Sequence, residues 1–214
     1  MFKITTHELR DLIISFFVIS LCFAILYVGG NFQALYIILP ITMVGVGTGF
    51  ILHELGHKYA SMHYGYWAEY KLWPVGLILA LFSSFLGFVF AAPGAVYTYG
   101  NYVDPKENGV ISVSGPIVNI ILALIFLLIA VAIYPTITPF DEFSQIGFLI
   151  CALGFTINSY LSVFNMIPIW NLDGSKVLRW NGLVWLVVIA VGGIMTYLSM
   201  TIGVENIVRI ILGI

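Results

Sequence analysis

Charge is what this sequence has least of. Only 8% of its 214 residues are Asp, Glu, Lys or Arg, against about a quarter in a soluble domain. A chain this poor in charge cannot cover a globular surface in water, which excludes a soluble enzyme. No basic stripe is present, and a net charge of −2 leaves no footprint for nucleic acid. Cysteine is scarce too. Cys22 and Cys151 both stand in apolar runs, which excludes a disulfide framework or a thiolate metal site. Repeats and low-complexity tracts are missing, and no stretch is polar enough for a separate soluble domain. Residues 1–214 therefore read as one membrane-embedded domain with its core at about 35–180. Residues 1–11 are polar and the next apolar run is too long for a signal peptide, so no cleavable leader is expected.

What is there is apolar: 61% of the residues are hydrophobic and the mean hydropathy is +1.05. Runs at 12–29, 35–62, 112–134, 146–168 and 183–200 are long enough to cross a bilayer. The fold class is an all-α polytopic membrane protein. It has about five to six transmembrane helices and a re-entrant or β-hairpin element between the second and third clear runs. His7, Glu8, Arg10 and Asp11 read as a polar, headgroup-level cap on the first run. Residues 63–73 carry His63, Tyr64, Tyr66, Trp67, Tyr70 and Trp73, an aromatic exit suited to the interface. Gly45 and Gly49, four apart, allow another backbone to approach the second helix. Residues 93–100, bounded by Pro93 and Gly100, read as a short extended segment or hairpin. Polar loops are expected at 101–109 and 135–144. The tail beyond Met200, with Glu205 and Arg209, either lies in the interface or partly returns.

Against this background His53-Glu54-Leu55-Gly56-His57 stands out. Two histidines four apart project from one face of a helix and can grip one metal ion. Glu54 lies beside the open coordination position. Imidazole suits zinc, and a catalytic zinc takes three protein ligands. Eighteen uncharged residues precede His53, so the set sits at the end of a span. Ionisable groups are expensive there and mark function.

A third ligand is needed. Most carboxylates stand in polar or interfacial stretches. Asp173 differs, because it follows a span interrupted by Pro168 and precedes Gly174. Its other reading is an N-cap for the residues after it. If Asp173 meets His53 and His57, both spans end at one depth and run parallel, with an odd number of crossings between them. Residues 112–134 supply one crossing. Residues 73–92 must then dip in and return on the same side. Charge agrees with this topology: Lys3, Arg10, Lys58, Lys71, Lys106, Lys176 and Arg179 fall on one side and Arg209 on the other. That bias places the N-terminus and the metal end in the cytoplasm.

The motif at His53–His57, Ser114-Gly115-Pro116 with Asn119 opening a later span, and Asn165-x-x-Pro168 leading to Leu172-Asp173-Gly174 together resemble the site-2 protease family of intramembrane zinc metalloproteases. The resemblance runs from about Gly45 to Leu178. It implies one zinc per chain held by His53, His57 and Asp173, with Glu54 as catalytic base. It also implies that Pro93, Gly94, Ala95 and Val96 form a re-entrant β element that aligns an unwound substrate as an added strand. Asn119 or Asn165 would serve the oxyanion or hold the substrate backbone; the other reading of each is an interhelical hydrogen bond. The expected partners are a transmembrane protein substrate and the lipid bilayer. Nothing in residues 1–214 reads as a substrate-binding PDZ or regulatory CBS domain, and the apolar run at 73–92 ahead of the β element is a second departure from the family pattern. Two rivals remain: a membrane metal-binding or transport protein, and an inert homologue that binds membrane segments.

Overall fold

The computed structural model describes residues 3–100, 102–138 and 140–214. Asn101, which opens the loop expected at 101–109, and Pro139, inside the loop expected at 135–144, lie outside the described residues, as do Met1 and Phe2. Among the described residues five helices are long and apolar enough to cross a membrane: Thr6–Val28, Phe32–His63, Pro105–Thr136, Glu142–Met166 and Gly182–Thr201. They coincide with the five apolar runs.

Helix α1 (Thr6–Val28) starts with a capping box, Thr5 accepting from the Glu8 amide and Glu8 reaching back, and stops at Gly29 in the left-handed conformation. The second span is α2 (Leu35–Val46), one wide π turn (Gly47–Ile51), and α3 (Leu52–His63). Such wide turns are frequent at functional sites, and this one ends two residues before His53. The Gly45/Gly49 spacing does what small residues do between membrane helices. A Cβ on Gly45 would stand 3.4 Å from the Gly154 backbone, and one on Gly49 would stand 2.9 Å from Asn158 Oδ1. Both contacts lie on α6 (Glu142–Met166).

Residues 63–73 are not simply an interfacial exit. Trp67–Leu72 is strand β1, paired antiparallel with β2 (Gly94–Tyr99), Leu72 opposite Gly94 and Trp67 opposite Tyr99. The period-2 signal was obscured by aromatics that also suit an interface. This pairing settles the path between the strands. Their facing ends lie side by side, so the chain leaves through α4 (Pro74–Ser84) and returns without crossing. At 11 residues α4 is too short to span. The irregular backbone of this excursion is satisfied within the protein: Phe90 N–H donates to Ser83 Oγ, Tyr160 Oη to the Val89 carbonyl, and Trp73 N–H to the Pro93 carbonyl.

Helix α5 (Pro105–Ile133) begins seven residues earlier than the apolar run suggested. Asp104 caps it, accepting from the Lys106 and Glu107 amides, and Pro105 occupies the first turn. These start signals outweigh the polar composition of the first turns. Helix α7 (Asp173–Trp180) follows α6 through a bend at 167–172, and Asn181 caps α8 (Gly182–Thr201). The tail is α9 (Val204–Leu212), too short to return across a bilayer. Its Val204 and Val208 pack into a cluster with Ala123, Phe126, Phe155 and Met195.

Glu8 and Asp11 correct the expectation of an interfacial cap. Both are buried. Glu8 pairs with the wholly buried Lys58 of α3 at 2.5 Å, and its other oxygen accepts the Tyr70 amide of β1 at 3.1 Å. Breaking a buried pair of this kind costs about 3–5 kcal/mol. Nothing in the local sequence distinguishes these carboxylates from headgroup-level ones.

Candidate metal centre

Three elements converge. Helix α3 brings His53, Glu54 and His57, all buried, on one face. Helix α7 brings Asp173. Asp173 is the first residue of α7, and the N-cap position belongs to Leu172, which makes no capping bond. The carboxylate is thus turned to the histidines rather than to its own helix. It gets there because Gly174 lies against the end of α6, where a Cβ would stand 2.0 Å from the Met166 carbonyl oxygen. Helix α5 backs the pair. A Cβ on Gly115 would stand 2.5 Å from His57 Nε2 and 2.7 Å from His53 Cε1.

His53 Nε2, His57 Nε2 and Asp173 Oδ2 form a triangle with edges of 3.0, 3.1 and 3.4 Å. Ligands of a tetrahedral zinc with bonds of about 2.0–2.1 Å stand about 3.3–3.4 Å apart. Proton positions follow from the backbone. The Asn119 amide donates to the Gly49 carbonyl and to Asn158 Oδ1, both at 3.0 Å. A carbonyl only accepts, so Asn119 Oδ1 faces His53 Nδ1, 2.6 Å away, and that nitrogen carries the hydrogen. His57 Nδ1 likewise donates to the Ile111 carbonyl at 2.8 Å. Neutral imidazoles held this way turn both Nε2 lone pairs toward each other and toward a carboxylate, an arrangement that repels unless a cation lies among them. The residues present fit a divalent cation of zinc type, and His53, His57 and Asp173 are the group that could hold it.

The other expected residues divide. Asn119 is wholly buried and both its amide hydrogens are committed. It orients His53 and has no donor left for an oxyanion. Asn158 stands behind it, donating to the Gly154 carbonyl at 2.9 Å. Sequence reasoning missed Asn158, whose only signal was an amide in the middle of an apolar span. Replacing Asn119 with Leu is expected to weaken zinc binding about 10–100-fold, measured by competition with a chelating dye. Asn165 does line the cleft, and its amide donates to the Leu161 carbonyl of its own helix at 3.0 Å.

Pro93, Gly94, Ala95 and Val96 line the same cleft as His53, Glu54, His57 and Asp173. Trp73 N–H bonds to the Pro93 carbonyl, so bonded pairs alternate from there. Gly94, Val96 and Thr98 thus turn their backbone groups away from β1. Among the described residues β2 has no second strand beside it, and its Val96 backbone faces Glu54. Glu54 Oε2 is buried without a hydrogen-bond partner. His63, by contrast, is exposed beside Tyr64 and takes no part.

Five spans, a re-entrant hairpin and a His-Glu-x-x-His helix closed by an aspartate define a multi-pass membrane protein with a zinc-protease motif. No family model matches the chain, and no solved structure matches it. Three relatives do. MJ0611 of Methanocaldococcus jannaschii is 39% identical over 188 residues, which is 87% of this chain and 91% of that protein. YwhC of Bacillus subtilis is 29% identical over 162 residues, 66% of this chain and 69% of that protein. Both are named as putative zinc metalloproteases. MJ0392 of Methanocaldococcus jannaschii, named a zinc metalloprotease, is 25% identical over 80% of this chain and 41% of its own length. The chain belongs to this family, the compact site-2 protease-like zinc metalloproteases.

Proposed function

We propose that the protein is an intramembrane zinc metalloendopeptidase that hydrolyses peptide bonds within or near transmembrane segments of membrane-protein substrates, the chemistry of regulated intramembrane proteolysis. One observation carries the reading: a buried carboxylate oxygen without a partner, Glu54 Oε2, shares a cleft with β2, which has no further strand beside it among the described residues. The first suits a base waiting for a water. The second suits an extended peptide.

His53, His57 and Asp173 hold the zinc, one per chain. Zinc, when bound, supplies a Lewis acid that acidifies water and polarises the scissile carbonyl. Glu54 takes the proton of the attacking water and returns it to the leaving amine. Residues Pro93–Val96 lead the substrate along β2, whose outward N–H and C=O groups extend the sheet by one strand. Asn165 keeps one amide hydrogen for the substrate backbone or the oxyanion. The excess of Lys and Arg at the metal end supports a cytoplasmic N-terminus and active site.

A substrate helix must lose backbone hydrogen bonds before it can pair with β2. Two Leu-to-Gly changes near the cut lower helix propensity by about 1 kcal/mol each and are expected to raise cleavage about tenfold. Equal rates across a panel of such spans would remove the strand-addition step. The reading as a whole is tested with the full chain in detergent, a single-span substrate and a parallel zinc measurement. Chelation should abolish cleavage and added zinc restore it. A protein that holds zinc and cuts no span of the panel would reopen the metal-binding or transport reading.

A further inference from the structure

The hairpin has two edges, and the structure treats them differently. On β1 the amides turned away from β2 belong to Ala68, Tyr70 and Leu72, and the last two point at α1. Those two are met by side chains of α1. Glu8 Oε1 accepts the Tyr70 amide at 3.1 Å and Asp11 Oδ2 accepts the Leu72 amide at 3.2 Å. The spacing is suited to this. Glu8 and Asp11 are three apart and share a helix face, while Tyr70 and Leu72 are two apart and share a strand edge. Three helical residues rise about 4.5 Å and two strand residues about 6.6 Å, and the longer glutamate makes up the difference. Each carboxylate is steered by a cation on its remaining side. Arg10 Nε and Nη2 lie 3.0 and 2.7 Å from Asp11 Oδ1, and Lys58 Nζ lies on Glu8 Oε2. Lys58 follows His57 directly, so one glutamate ties the metal-binding helix and the hairpin to the same point.

From this we infer that Glu8 and Asp11 are positioning residues. They close the outer edge of β1 at Tyr70 and Leu72, leave β2 as the edge for an added strand, and fix its register against the metal centre. A hairpin with two open edges would accept a strand on either side. A hairpin free to shift by two residues would present a different peptide bond to Glu54. The inference rests on the protease reading for its consequence, but not for its geometry.

Asp11→Ala removes one acceptor and leaves the Glu8–Lys58 pair intact. Hydrogen exchange on the zinc-loaded chain should speed up about tenfold in peptides covering 67–72 and 94–99, with zinc content unchanged. With a single-span substrate, KM should rise about tenfold with little change in kcat, and mass spectrometry of the products should show additional cut sites. Asp11→Asn, which keeps an amide oxygen for Leu72, should recover most of both. A merely structural role would lower the amount of folded enzyme without moving the cut. Unchanged hairpin exchange in Asp11→Ala overturns the inference, and so does faster exchange with the wild-type KM and a single cut site. If the wild type itself cleaves no span, it is the protease reading that fails. The exchange comparison then decides alone whether α1 holds the hairpin.

Discussion

Replacing Glu54 with Gln is expected to leave a folded protein that still holds one zinc per chain and has lost cleavage by roughly four orders of magnitude, the upper end of what a positioned general base contributes. The geometry separates the two properties. The triangle that fits the ion is built from His53, His57 and Asp173, and Glu54 is outside it. Its Oε2 makes no hydrogen bond although it is buried. Burying an unpartnered polar atom is costly, so a site that keeps one has a use for it. Glutamine preserves the shape and removes the capacity to take a proton. Zinc content and single-turnover cleavage, measured on the same preparation, check this. Zinc lost together with activity would make Glu54 a ligand instead of the base.

The second large effect is expected at a residue with no reactive atom. Gly115→Ala places a methyl group 2.5 Å from His57 Nε2, 2.6 Å from His57 Cε1 and 2.7 Å from His53 Cε1. No carbon tolerates such contacts, and the rings cannot yield without abandoning their Nδ1 partners, Asn119 Oδ1 and the Ile111 carbonyl. The expected outcome is loss of zinc binding by at least about 100-fold, with cleavage falling in step, while the helical content by circular dichroism stays near wild type. Alanine is a better helix former than glycine by about 1 kcal/mol, so α5 itself should not suffer. Wild-type zinc affinity in this variant would mean that α5 stands farther from the imidazoles than the structure places it.

Much of this protein is legible in the order of its residues alone. Five spans follow from run length, because a bilayer demands about 20 apolar residues per helix and the sequence supplies five such runs. The pairing of His53 and His57 follows from an i, i+4 spacing, and Asp173 was singled out by its place after a span interrupted by Pro168 and before Gly174; the structure brings these three together. Setting them at one depth, with the charge bias, requires residues 73–92 to return, and the β1–β2 pairing shows that they do.

Other features were decided only by the tertiary structure. Strand β1 was hidden because its aromatics serve an interface as well as a strand. The start of α5 was hidden because hydropathy marks the membrane and not the helix, and Asp104-Pro105 begins the helix well before the apolar run. Asn119 had two readings, and only the position of the Gly49 carbonyl fixed which way its amide points and so which proton His53 carries. Glu8 and Asp11 look like any headgroup-level carboxylates. Tyr70 and Lys58 stand 62 and 50 residues from Glu8 along the chain, and Leu72 stands 61 from Asp11. Periodicity and composition are local quantities, so the sequence by itself determined the spans, their parity and the metal-binding residue types. Hydrogen-bond partners far apart in the chain are not local, so only the folded arrangement decided which side chains orient the histidines and which edge of the hairpin stays open.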